Sequence, residues 1–403
     1  MSSRGIRDQV AIIGMGCTPF GEHWDASIDD LTARAANDCL ADAGMAIGDV
    51  DAFWFGTMGS TYSGLGLSRA LRIVGKPVTR VENMCATGSE ALRNACYAVA
   101  SGAYDSAMAI GAEKLKDSGF SGLVTPAVSA DGTAFESTAP AAFSRLAPAY
   151  ANRYGVTDHE MRDVLTHIAW KNHKNGALND RAQFRSEVSK ARISNAPEVA
   201  GGLGIFDCSG VADGAAAAIV VPADQAERYC ADPLYVKALS VVSGDSTGLL
   251  DPAFDFTRIP EVEACAADAY AQAGISDPRR AFALAEVHDC FTPTELVLME
   301  ELGFSGRGAG WRDVLDGAFD LTGDLPVNPD GGLKAFGHPI GASGLRMMFE
   351  CWLQLRSKAP PERQVGTVAD GRTMALTQNL GGQPGACVSA ISIVGTHRHG
   401  SSS

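Results

Sequence analysis

Two stretches of the chain share one hydrophobic pattern. From Asp30 the sequence reads DLTARAANDCLADAGMAIGDVDAFWFG, and from Glu261 it reads EVEACAADAYAQAGISDPRRAFALAEV. In both, apolar positions recur at helical spacing, which predicts an amphipathic helix. Both helices are predicted to close at an Ala-Gly pair, Ala43-Gly44 and Ala273-Gly274, because glycine accepts the left-handed backbone that ends a helix. A short acidic turn follows, then a hydrophobic strand, AFWFG or AFALAEV. The offset is 230 residues, Gly44 to Gly274.

A second echo pairs CATGSEAL at Cys85 with IGASGLRM at Ile340, each ahead of an amphipathic helix. Two echoes in the same order predict two related halves, placed at residues 1–250 and 251–403. Strand and helix patterns alternate through both, which predicts α/β architecture with mainly parallel sheets covered by helices. The first half carries an insertion at about residues 115–205. Its Gly-, Ser- and Pro-containing start, DSGFSGLVTPAVSADGTAFESTAP, reads as loop and HEMRDVLTHIAWKNHKNG as helix, an arrangement suited to a lid.

Composition narrows the function. A net charge of −14 over 403 residues argues against nucleic acid and anionic membranes as partners. The ten cysteines contain no C-x-x-C pair, so neither structural zinc nor a disulfide framework is expected. There is no apolar run long enough for a transmembrane helix, no secretory leader and no S-K-L ending. The expectation is a soluble, cytoplasmic protein.

Four stretches carry chemistry. Cys85, in VENMCATGSEALRNA, falls between a β-prone run and a helical one. A thiolate at a helix N-terminus would be stabilised by the helix dipole and free amides; a buried packing cysteine is the alternative. His288, Asp289 and Cys290 cluster at the C-terminal end of the second-half strand, where ligand groups of α/β sheets collect. Asp289 or Thr292 there is also placed to cap the helix PTELVLMEEL. His338 stands in a Gly-rich loop, NPDGGLKAFGHPIGASG, that fits neither a P-loop nor G-x-G-x-x-G. QNLGGQPGACV, from Gln378, offers glycine amides for an oxyanion hole. His173 is isolated and reads as structural or solvent-facing, and VADGAAAAIV from Val211 as packing. Together the four supply a nucleophile, a base, oxyanion donors and a second acid/base, the parts that attack on a thioester requires.

The chain resembles the thiolase superfamily over nearly its whole length, closest to the sterol-carrier-protein-type thiolases and their bacterial and archaeal relatives. The markers are NMCATGSEAL, HDCF at His288–Phe291, GGLKAFGHPIGASG, and NLGG at Asn379–Gly382. The resemblance implies a duplicated five-layered αβαβα fold with two mainly parallel mixed sheets, a homodimer, and reversible Claisen chemistry with coenzyme A as cosubstrate and no permanently bound cofactor or metal. It makes Cys85 the acylated nucleophile and His338 its activator. His288 would help form one oxyanion hole, and Cys290 would be the second acid/base. The amides of Cys85 and of Gly381 or Gly382 would form the other hole, with Asn379 beside it. Ser243 resembles a serine that contacts the pantetheine. The chain departs from better-known thiolases, which carry Asn-Glu-Ala-Phe in place of HDCF and a Cys-x-Gly where Asn379-Leu380-Gly381 stands here. A fused sterol-carrier domain is not expected. Some relatives work with a small zinc-ribbon/OB-fold partner, and some act on branched or aromatic 3-oxoacyl-CoA. Alternatives are a Cys-His-His ketosynthase, a C-acyltransferase subunit of a larger complex, and a lyase or scaffold.

Overall fold

The computed structural model describes residues 4–119, 122, 124–128, 134–251 and 253–398. A first run comprises β1 (Val10–Cys17), α1 (Ile28–Ala43), β2 (Ala52–Gly56), β3 (Val78–Val81), α2 (Thr87–Ala100) and β4 (Ala107–Glu113). The chain then leaves the sheet for an excursion containing α3 (Ala139–Phe143) and α4 (Asp158–Ala177), and returns as β5 (Gly214–Pro222). A second run comprises β6 (Leu234–Ser243), α5 (Pro260–Ala273), β7 (Phe282–Glu286), α6 (Thr292–Glu301), α7 (Gly332–Phe336), α8 (Ser343–Leu355), β8 (Met374–Gln383) and β9 (Ala386–Gly395).

The predicted echo is real in topology. The strands lie in the order β7-β8-β9-β6-β1-β5-β4-β2-β3. Reading outward from the middle, β1-β5-β4-β2 and β6-β9-β8-β7 repeat the same two antiparallel contacts followed by one parallel contact. The helices α1 and α5 end as expected, with Gly44 and Gly274 in the left-handed region. Ser27 and Asp30 form a reciprocal capping box at the start of α1. The central helices α2 and α8 pack on each other, and each touches strands from both runs.

Three features differ from the sequence expectation. Val124–Val128 and Ala134–Thr138, within the stretch expected as loop, are strands that pair antiparallel outside the main sheet. Within the main sheet, five of the eight strand pairings are antiparallel. The two sheets also join into one of nine strands, through the short pairing of Ala11 with Tyr235 and Ile12 with Leu234. The physical reason is that strands buried on both faces give continuous apolar runs whichever way they point. Strand direction comes from the connections: β8 and β9 form a hairpin turning at Pro384-Gly385, and β5 enters between β1 and β4 only after the long excursion.

The outer helix α1 lies very close to β1. A Cβ on Gly16 would sit 2.2 Å from the Ala35 carbonyl oxygen and 2.6 Å from the Cys39 nitrogen, so only glycine fits without moving backbone. We expect Gly16→Ala to destabilise the protein by about 1–3 kcal/mol, measured as a lowered denaturation midpoint; an unchanged midpoint would show that α1 shifts without cost.

Candidate active site

Four sequence-predicted residues meet in one cavity of about 450 Å³: Cys85, His288, Cys290 and His338, with Gly382 in the same wall. Cys85, His288 and Cys290 come from loops that follow sheet strands, Gly382 from the end of β8 and His338 from the loop between α7 and α8, and the two runs contribute to the same point. Cys85 sits in a tight turn before α2, in which Ala86 N donates to the Asn83 carbonyl and Thr87 N to that of Met84, both at 3.1 Å. Met84 has φ +50°, a left-handed backbone that costs a non-glycine residue energy and that clusters at functional turns. Gly381 backs this turn: a Cβ there would lie 2.4 Å from the Asn83 carbonyl oxygen.

The loop carrying His338 is clamped from several sides. His338 N donates to the Gly210 carbonyl at 2.9 Å. Gly341 N donates to Glu113 Oε2 at 3.1 Å, and the same buried carboxylate accepts from Ser60 N at 2.9 Å and Ser60 Oγ at 2.6 Å. Beneath the loop, Arg346 is fully buried and bonds Glu286 Oε2 at 2.5 Å as well as Asp330.

The two imidazoles stand edge to face, 5.4 Å between centroids. Their hydrogen bonds assign them opposite tautomers. The Ser343 hydroxyl donates to the Pro339 carbonyl at 3.0 Å, so its oxygen accepts from His338 Nδ1 at 2.7 Å. His338 therefore carries a lone pair on Nε2. At the other ring, Ser89 Oγ donates to Asn379 Oδ1 at 3.2 Å, which leaves Asn379 Nδ2 to donate to His288 Nδ1 at 3.0 Å. His288 Nε2 therefore carries the proton. Burial, with His338 and Arg346 adding, holds the His288 ring far below the usual histidine range, and burial followed by Arg346 brings His338 down to about 3. Both rings are neutral at pH 7, one an acceptor and one a donor.

Cys85 departs from the expected thiolate. Burial pushes its thiol up to about 12, with the Glu113 and Glu82 carboxylates adding to the effect. Desolvation outweighs the helix terminus, because an ion loses more by leaving water than the dipole returns. Cys290 is likewise raised, by burial first and by Cys85 second, and its sulfur lies 3.8 Å from Thr294 Oγ1.

Sulfur and ring nitrogens of Cys85, His288 and His338 lie within 4.8 Å of one another, the one metal-like cluster among the described residues. A cation there would need a lone pair from His288 Nε2, and the Asn379 bond puts a proton on it. The cluster therefore suits an anionic oxygen better than a metal.

The remaining candidates fall elsewhere. Asn379 and Gly381 sit behind the wall and act on His288 and on the Cys85 turn. Ser243 is exposed at the end of β6, opposite Val388, and does not line the cavity. Asp289 caps α7 rather than α6, accepting from Leu333 N at 2.6 Å and Lys334 N at 3.2 Å. Thr292 binds Asp207 Oδ1 at 2.8 Å, so neither residue caps α6. His173 is buried against Phe184 and Phe206, a structural residue without solvent access. The far cavity wall comes from the excursion, through Ala139, Pro140, Phe143 and Val199. The positioning residues Ser343, Ser89, Glu113 and Arg346 were not singled out by sequence reasoning. Ser89, Ser343 and Arg346 lie within the quoted motif stretches, and nothing in the sequence marks Glu113 as a site residue.

The family model described as thiolase, N-terminal domain, matches residues 10–224, and that described as thiolase C-terminal domain-like matches residues 246–394. An acetyl-CoA acetyltransferase of Methanothermobacter thermautotrophicus is 39% identical over 394 residues, covering 94% of this chain and 98% of that protein. Sterol carrier protein 2 of Homo sapiens is 31% identical over 396 residues, covering 93% of this chain and 70% of that protein. The solved structure of an Ltp2-ChsH2(DUF35) aldolase superposes with a TM-score of 0.79 at 25% identity, covering 97% and 98% of the two chains.

A neutral, buried thiol makes a pH prediction. Alkylation of Cys85 by iodoacetamide, followed by peptide mass mapping, should accelerate about tenfold per pH unit between roughly pH 7 and 10. A rate that is flat across this range would instead show a resting thiolate–imidazolium pair.

Proposed function

The chain belongs to the thiolase family, and on that footing we propose that it moves an acyl group between coenzyme A and the α-carbon of a second acyl-CoA, through an acyl thioester on Cys85. The observation that carries this reading is the opposite tautomers of His288 and His338 beside two buried thiols in one cavity. Coenzyme A is the cosubstrate, and the chemistry calls for no resident cofactor.

In the cleaving direction, Cys85 Sγ attacks the keto carbon of a 3-oxoacyl-CoA while its proton passes to His338 Nε2. The amides of Cys85 and of Gly381 or Gly382 take the charge that develops on the keto oxygen. The bond between the α-carbon and the keto carbon breaks, and its electron pair becomes the enolate of the departing acyl-CoA. That enolate oxygen is held by the His288 N–H and by the now protonated His338. Cys290, kept a thiol by its burial, gives its proton to the α-carbon. An incoming CoA thiol then passes its proton to Cys290 and takes the acyl group, and His338 returns its proton to Cys85. Condensation is the reverse.

The apolar side of the cavity, with Phe143, Phe291, Val199, Val211 and Ile340, supports an acyl group bulkier than acetyl, of the branched or aromatic kind. The open edge of β3, near exposed Tyr62, Leu65 and Val74, supports a homodimer, which light scattering would read as twice the 42.0 kDa chain. The second component in the name of the aldolase relative supports a small partner subunit. That relative also supports a second reading, retro-aldol cleavage with His338 as base and no acyl-enzyme.

Intact-mass measurement after incubation with acyl-CoA, malonyl-CoA and 3-oxoacyl-CoA thioesters separates the readings. Wild type should gain the acyl mass, Cys85→Ala should gain none, and Cys290→Ala should still be acylated while thiolysis drops by about 10²–10⁴-fold. Turnover without any adduct would favour the aldolase, and an adduct on Cys85→Ala would exclude Cys85 as nucleophile.

A further inference from the structure

The helix α4 belongs to the excursion outside the duplicated sheet, yet one of its faces is a buried polar stripe. Lys171, Asn172 and Asn175, with Asn179 just past its end, are each no more than 3% exposed. All four point at the loops that carry the candidate chemistry. Asn172 Nδ2 donates to Asp289 Oδ2 and to Glu295 Oε2, both at 2.8 Å. Lys171 Nζ pairs with Glu295 Oε1 at 2.9 Å and donates to Asn172 Oδ1 and the Val327 carbonyl, both at 2.7 Å. Asn175 Nδ2 reaches the Asn328 carbonyl at 2.9 Å, and Asn179 Nδ2 that of Asp330 at 3.0 Å.

Asp289 is the residue between His288 and Cys290. Its carboxylate holds the first turn of α7 on one side and Asn172 on the other. The fit is tight: a Cβ on Gly332 would lie 2.2 Å from Asp289 Oδ2. We propose that Asn172 is a positioning residue for Cys290, because its amide bridges the carboxylates of Asp289 and Glu295 and so fixes the turn that presents Cys290 and His288. Without that N–H pair two buried carboxylates face each other unbridged, and the turn between them moves to separate the charge. This role rests on the acyl-Cys85 reading, in which the carbon–carbon step needs the Cys290 proton, whereas an acyl-CoA can acylate Cys85 with its CoA leaving as a thiolate that Cys290 protonates only afterwards.

The groups around Asp289 set the sign of a pH effect. Burial and Glu295 raise its carboxyl to about 7, opposed by Arg346, the Leu333 amide and Lys171; Lys334 and Glu286 also act on it. Replacing the Asn172 amide by a carboxylate adds a third negative group there. When one carboxyl in the group takes a proton it can donate in the amide's place, so lower pH should repair Asn172→Asp.

The test compares wild type, Asn172→Ala and the isosteric Asn172→Asp in two assays, with melting curves confirming that each is folded. The first assay is Cys85 acylation by an acyl-CoA, read by intact mass; the second is steady-state thiolysis of a 3-oxoacyl-CoA. Both variants should acylate Cys85 within about threefold of wild type, while kcat for thiolysis falls about 10–100-fold, further in Asn172→Asp than in Asn172→Ala. The ratio of Asn172→Asp to wild-type turnover should rise as pH falls from about 8 to about 6. An Asn172→Asp enzyme equal to wild type, or acylation and thiolysis falling together, overturns the positioning role while leaving acyl-Cys85 intact. A wild type that turns over without acylation overturns the acyl-Cys85 reading and this role with it.

Discussion

The bonds from Asn379 to His288 and from His338 to Ser343 place the protons of two neighbouring imidazoles on opposite nitrogens. Neither ring could do this alone. An isolated buried histidine has no preferred tautomer strong enough to define a role, whereas a fixed partner on Nδ1 decides what Nε2 offers. One ring becomes a base and its neighbour a hydrogen-bond donor, though their immediate surroundings are shared. Burial is what keeps this division intact. It removes the charged form of both rings and of both thiols, so protons move only when a substrate arrives to accept or supply them.

Holding such a site dry and rigid requires polar groups in the interior, and these come at a cost that each network has to offset. Arg346 between Glu286 and Asp330 is fully buried, and so is Glu295 beside Lys171. Pairs of this kind contribute little net stability against a hydrophobic substitute, but losing one partner alone costs about 3–5 kcal/mol. Their placement is more informative than their energy. Glu286 ends the strand that leads to His288, Asp330 precedes α7, and Arg346 lies on the helix that follows His338. The guanidinium therefore ties together the two loops whose histidines must stay 5.4 Å apart. The α4 stripe braces the same loops from the other side.

Much of the site was legible in the sequence because its parts lie in short, chemically unusual stretches. Cys85 at a strand-to-helix junction, the His-Asp-Cys run and the glycine-rich loop around His338 each break the surrounding pattern, and all three converge on the cavity. Residues that act on those groups from a distance were not legible. Asn172 stands in a helix whose polar composition reads as a solvated face, and Ser89 and Glu113 look like ordinary helix and strand residues. A hydrogen bond across 290 residues, such as Ser89 to Asn379, leaves no local trace. The burial of Cys85 was not legible for a related reason: the helix terminus is visible in sequence, but the depth of burial that opposes it is not.

The sequence by itself determined the repeat, the helices and their glycine ends, and the chemical inventory of the site, because these follow from local periodicity and residue type. Only the tertiary structure decided strand direction, the joining of the halves into one sheet, the tautomers, and the role of α4 as a brace beneath the chemistry. Those properties depend on which groups meet after the chain has folded and on how much water is excluded where they meet, and neither quantity is a property of any single stretch of the chain.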